Sequence, residues 1–196
     1  MEIISLFDNK CNFKIYLLED VKNYNELIKV CNLDYVCLLN PEYILGVNHI
    51  SIAIEKSVTS KKRRLDRPIS KEIVFYSCLS NKLDMCLDIH NASKIIDKVK
   101  NNTNKDNSEG NQTIDIKSNE NNTLNVFLIY CNNTYFPKYN KEVEDLFECK
   151  CLEVEDFSKY TNLNYLIKEF NINDIEFNNE AGIIGSIYNR LSLKDY

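Results

Sequence analysis

Apolar positions recur along this chain in two rhythms, one of period two and one of three to four. Phe13 to Leu18 is rich in β-branched and aromatic residues and predicts a strand. Asp20 is then placed to cap a helix whose apolar residues are Val21, Tyr24, Leu27, Ile28 and Cys31, one face of a helical turn pattern. Tyr35 to Leu39 predicts a second short strand, closed by Asn40-Pro41. After Gly46 the helical rhythm returns in Val47, Ile50, Ala53, Ile54 and Val58, with His49, Glu55 and Lys56 expected on the exposed side. Pro68 disfavours helical geometry at Arg67, so the chain is expected to leave this helix near Arg64 and enter a loop. Glu72 to Leu79 predicts a strand, and Ser80 a cap for a helix containing Leu83, Cys86 and Leu87.

Residues 101–122 break both rhythms. Asn, Thr, Lys, Ser, Asp and Glu dominate there, and Ile114 and Ile116 are the large apolar residues. Such a stretch cannot bury enough surface to offset its ordering entropy, so a flexible insertion is expected. Leu124 to Tyr130 is apolar at nearly every position, which predicts a strand in the middle of a sheet. Asn140 is expected to cap an acidic helix with Val143, Leu146 and Phe147 inward, and Cys149 to Val154 to form a further strand. Thr161 is expected to cap a helix with Leu163, Leu166, Ile167 and Phe170, and a last helix carries Ile183, Ile184, Ile187, Tyr188 and Leu191. Strands and helices alternate loosely. The expected class is therefore mixed α/β: one domain over residues 1–196, with a mixed central sheet packed by helices.

Composition narrows the function. The 196 residues carry a net charge of −5, so a nucleic-acid contact would have to come from a local patch. One exists: Lys61, Lys62, Arg63, Arg64, Arg67 and Lys71 are opposed in that stretch by Asp66 alone. The eight cysteines include no C-x-x-C pair, and there are two histidines, so neither a structural zinc site nor any other metal is expected. Cys149 and Cys151 share one side of an alternating run and read as buried thiols. The glycines at 46, 110, 182 and 185 build no phosphate-binding loop, and no cofactor is expected. The amino terminus lacks the basic region and long apolar core of a signal peptide, and no window approaches the ~18 apolar residues of a membrane span. The expected setting is cytoplasm and nucleus, with reduced thiols and no membrane partner.

Taken as one unit, Tyr35 to Ser80 runs Leu38-Leu39-Asn40-Pro41, a helix with Ala53, Ile54 and Lys56, the basic run, then Arg67-Pro68-Ile69-Ser70-Lys71-Glu72-Ile73-Val74-Phe75 and Leu79-Ser80. This order resembles the PRPK-binding (TPRKB-like) subunit family of the KEOPS, or EKC, complex. Arg67, Ser70, Glu72, Ile73 and Phe75 match that family's Arg-Thr-Leu-Ser-x-Glu-Ile-Ile-Phe element, with Pro68 in place of a threonine. Asp20-Val21-Lys22-Asn23 resembles the start of the family's first helix, and Arg190-Leu191-Ser192-Leu193-Lys194-Asp195 its Arg-Met-Ser-Thr-Lys-Asp ending. His90-Asn91-Ala92 stands where the family has Phe-Gly-Ile.

The resemblance implies a subunit without catalysis of its own. Such a subunit binds the small kinase-like ATPase of the complex, is linked through it to the threonylcarbamoyltransferase subunit, and helps capture the 3′ CCA end of tRNA for threonylcarbamoyl-adenosine modification. It implies a kinase contact on the last helix, with Ile183, Ile184, Ile187 and Leu191 as candidates, although the same stripe is equally suited to core packing. It points to Lys61, Lys62, Arg63, Arg64, Arg67 and Lys71 as the tRNA-binding residues. Two other readings stand beside it: a kinase adaptor that never touches RNA, and a thiol-dependent enzyme.

Overall fold

A computed structural model describes residues 1–6, 11–31, 33–61, 66–90, 124–131, 139–178 and 182–194. The stretch 101–122, expected as an insertion, lies outside the described residues. The strands are β1 (Glu2–Leu6), β2 (Cys11–Val21), β3 (Val36–Leu39), β4 (Leu124–Cys131) and β5 (Lys150–Leu152). The helices are α1 (Tyr24–Cys31), α2 (Val47–Thr59), α3 (Ile69–Tyr76), α4 (Leu83–His90), α5 (Asn140–Phe147), α6 (Leu163–Glu169), α7 (Asp174–Phe177) and α8 (Gly182–Ser192). One sheet runs in the order β1-β2-β4-β3, with β5 also paired to β2. The α/β class with a central, helix-packed sheet is what the structure shows. The described strand pairs are antiparallel rather than mixed in direction.

The sheet is covered on both faces. Side chains alternate along a strand, and Ile15 and Leu17 of β2 lie opposite Ile129 and Phe127 of β4. These residues point to one face, where they cluster with Ile50, Ala53 and Ile54 of α2 and Ile69, Ile73 and Tyr76 of α3. Tyr16, Leu18, Leu128 and Tyr130 point to the other face and meet Leu27 of α1 with Val143 and Phe147 of α5. Double coverage explains the apolar run in β4, which occupies the middle of the sheet as its sequence predicts. Cys149 and Cys151 both pack into the second cluster, on one side as expected.

Several local expectations are corrected. Asp20 is no helix cap. It sits at positive φ, at a break in the β2–β4 register between Leu18 and Val21, and its N–H donates to Asn125 Oδ1 at 3.0 Å. Short acidic side chains tolerate that backbone better than most. Helix α1 begins later, where Asn23 Oδ1 accepts the Glu26 N–H. The expected strand over Glu72–Leu79 is helix α3. Its buried residues Ile69, Glu72, Ile73 and Tyr76 fall at helical spacing, and Pro68, which cannot donate, stands at its N-cap. Asn140 is the first residue of α5, after Tyr139 at the N-cap. Asn162, not Thr161, caps α6 by accepting the Tyr165 N–H, while the Thr161 hydroxyl donates to the Ile44 carbonyl. Ser80 stands two residues short of the cap: its Oγ accepts the Lys82 N–H, and the Lys82 carbonyl accepts the Cys86 N–H that opens α4.

Gly46 precedes α2 at φ 139°, ψ −165°, a conformation open essentially to glycine alone. A Cβ there would meet nothing within 4 Å. Gly46→Ala is therefore expected to cost about 1–3 kcal/mol through backbone strain alone. Urea unfolding reads this, and a cost near zero would contradict the strained geometry.

Candidate functional site

Helix α8 carries the aliphatic stripe that the sequence singles out, and the structure divides it. Ile187 and Leu191 are fully buried and form a third cluster with Leu45, Leu166 and Phe170. Ile183 packs partly against that cluster. Ile184 projects outward, 54% exposed. Residues 183, 187 and 191 drift about 40° per step around the helix, and residue 184 lies at the edge of that stripe, about 60° from Ile187, so what packs beside each turn decides which side chain is covered.

A neighbouring helix was not legible in the sequence. Helix α7 is only four residues long, but Asn173 and Glu176 form a reciprocal capping box at its start. The spacing Asn-x-x-Glu was the available signal. Helix α7 exposes Ile175, at 82%, and Phe177, at 50%. It is fastened to α8 by Arg190, whose guanidinium donates to both Glu176 carboxylate oxygens and whose Nη2 also reaches the Asn171 carbonyl at 3.4 Å. The Arg190 charge beside it, with the Asn173 N–H, pulls the Glu176 carboxyl down to about 2. The α7–α8 end of the molecule therefore presents Ile175, Phe177 and Ile184 to solvent from a braced scaffold. Three large exposed aliphatic or aromatic side chains on two linked helices are the kind of surface that protein partners cover.

The basic run divides as well. Lys61 is exposed in the turn after α2, and Lys71 is exposed on α3. Lys62, Arg63 and Arg64 lie outside the described residues. Arg67 has a structural task that the sequence did not show. Its Nη1 lies 3.5 Å from Oε1 of Glu72, a carboxylate only 2% exposed at the first turn of α3. A charge buried that deeply requires a partner.

His49 also departs from expectation. It is fully buried, not on the exposed side of α2. Its Nδ1 accepts the Leu45 N–H at 3.3 Å, and its Nε2 lies 2.7 Å from the Ser77 carbonyl, so the ring is neutral with its proton on Nε2. The ring stands edge-on to Phe170. Burial holds its pKa down at about 4.

Cys37 and Cys131 face one another's region of the first cluster, and burial drives both thiols upward, away from the thiolate form that nucleophilic chemistry uses. Cys78 and Cys86 are joined as a disulfide, which departs from the expectation that the thiols stay reduced. No group of three or more His, Cys, Asp or Glu residues is arranged to hold a metal among the described residues. No helix among them is long and apolar enough to cross a membrane.

Residues 18–125 match the family model described as kinase binding protein CGI-121. No curated protein matches the chain. The matched span covers more than half of the 196 residues and runs from β2 into β4, through the α2–α3 unit that carries the sequence resemblance. Helices α7 and α8 lie beyond it. The chain belongs to the CGI-121 family of kinase-binding proteins.

Proposed function

We propose that this chain is the non-catalytic, kinase-binding subunit of a KEOPS-type assembly, acting as a single domain in cytoplasm and nucleus. The observation that carries the reading is the match to a kinase-binding family across β2 to β4. Within that reading the kinase docks on the α7–α8 end, through Ile184 with Ile175 and Phe177, while Ile187 and Leu191 support the surface from the core. The partner is the small kinase-like ATPase, which links the chain indirectly to the threonylcarbamoyltransferase subunit. The testing experiment is binding of the purified kinase to variants of this surface.

The second element of the proposal is tRNA capture, as part of threonylcarbamoyl-adenosine modification. The run from Lys61 to Lys71 supports it, because clustered cations on an acidic chain supply sequence-independent phosphate affinity. Arg67 is better left intact in a test, since its guanidinium pairs with buried Glu72 and a reversed charge there would face that carboxylate. Charge reversal at Lys61, Lys62, Arg63 and Arg64 is expected to weaken tRNA binding at least about tenfold and to flatten its salt dependence. Unchanged affinity and salt slope in a folded variant would leave a kinase adaptor that makes no RNA contact.

A further inference from the structure

We propose that Cys78 and Cys86 form a regulatory thiol–disulfide site, whose state sets how firmly α4 and the carboxyl-terminal end of α8 are held against α3. The two cysteines lie eight residues apart with Cα atoms 6.2 Å apart, inside the ordinary disulfide range. Cys78 follows the last turn of α3, and Cys86 sits in the middle of α4. Both are almost completely buried. Lys194, just past α8, reaches the same junction. Its ammonium donates to the Phe75 and Cys78 carbonyls, lies 4.0 Å from Cys78 Sγ, and stands 3.7 Å from the centre of the Phe75 ring. One residue, Cys78, thus carries both the bond to α4 and a carbonyl that anchors the end of α8.

The chemistry balances with a low-molecular-weight disulfide such as oxidised glutathione as oxidant. When α4 opens locally, the Cys78 thiolate attacks the external disulfide and releases one small thiol. The Cys86 thiolate then attacks Cys78 Sγ and releases the second. Two protein thiols lose two protons and two electrons, and one small disulfide becomes two thiols. A reducing dithiol reverses the exchange. This site stands apart from the proposed kinase binding, and its test uses no partner.

The full-length chain is incubated with oxidised glutathione or with dithiothreitol, blocked with N-ethylmaleimide under denaturing conditions, and digested with trypsin. After oxidation, peptides 72–82 and 83–94 are expected as one linked species, two hydrogens lighter than their sum; after reduction, both carry the label. Separately labelled peptides after oxidation, or linkage of either cysteine to another one, would overturn the site. Hydrogen exchange of the native chain reads the latch: residues 83–90 and 191–194 are expected to exchange at least about fivefold more slowly when oxidised, since opening of a segment sets its exchange rate. Equal exchange in the two states would overturn the coupling. Lys194→Met is expected to keep the linked peptide and the protection of 83–90, and to lose the redox difference at 191–194. A difference that persists at 191–194 would show that Lys194 does not transmit it.

Discussion

Ile184→Asp is expected to weaken kinase binding at least about tenfold, a loss of about 1.4 kcal/mol or more, while the melting temperature of the chain stays within a few degrees of wild type. The side chain is more than half exposed, so its replacement removes little core packing. A charge in the centre of an apolar contact, by contrast, forfeits burial and leaves an unpaired carboxylate against the partner. Phe177→Asp on the adjoining α7 is expected to act in the same direction. Ile187→Arg is a different experiment. That residue is fully buried among Leu45, Leu166 and Phe170, and a guanidinium there is expected to cost at least about 3–5 kcal/mol and to unfold the domain or loosen it badly. Loss of kinase binding by Ile187→Arg would therefore report on folding, whereas loss by Ile184→Asp reports on docking. Isothermal titration calorimetry beside a thermal melt separates the two. Undiminished affinity in both Ile184→Asp and Phe177→Asp would remove the kinase contact from this end of the molecule.

Acid is expected to destabilise the chain through His49. The neutral ring accepts from Leu45, donates to the Ser77 carbonyl and abuts Phe170, thereby joining the start of α2, the end of α3 and the end of α6. A proton on Nδ1 would abolish the Leu45 bond and place a charge in a fully buried site. The folded chain binds that proton only near pH 4, whereas an unfolded imidazole binds it near 6.5. The unfolded state therefore holds more protons between these values, and stability is complete above about pH 6.5 and declines as the pH falls toward 4. The full difference is about 3 kcal/mol. Urea unfolding at pH 7.5 and pH 4.5 measures most of it. His49→Asn is expected to be less stable at neutral pH and to lack the histidine contribution to the slope, while carboxylates such as Glu176 titrate alike in both chains. Equal slopes for wild type and His49→Asn over that interval would show that the ring is not held neutral.

The elements that the sequence placed well are those in which burial and period agree. Strands β2 and β4 are apolar on both faces because helices cover both, and this shows directly as near-continuous apolar runs. Helix α3 departs from the expected strand for a related reason. Ile73-Val74-Phe75-Tyr76 is also continuously apolar, and a short buried helix and a buried strand then carry the same pattern. The deciding feature is tertiary, the ion pair that lets Glu72 face inward toward Arg67. The burial of His49 is not legible in the pattern because a polar side chain on an amphipathic helix ordinarily faces water, and the Leu45 and Ser77 backbone groups that satisfy it leave no mark in the side-chain sequence. On α8 the stripe was visible, but which edge stays exposed depends on α6 and α7 packing beside it. The Cys78–Cys86 bond has no spacing signature, since it joins the segment after α3 to the middle of α4.

The central claim is that this chain serves as a kinase-binding subunit through its α7–α8 end. Affinity purification of the tagged full-length chain from its own cells, in parallel with the folded Ile184→Asp variant, tests it most directly. The expected result is recovery of a small kinase-like ATPase, together with the threonylcarbamoyltransferase subunit, by the wild-type chain, and strong depletion of both with the variant. Recovery of neither protein by a wild-type chain shown to be folded would contradict the assignment.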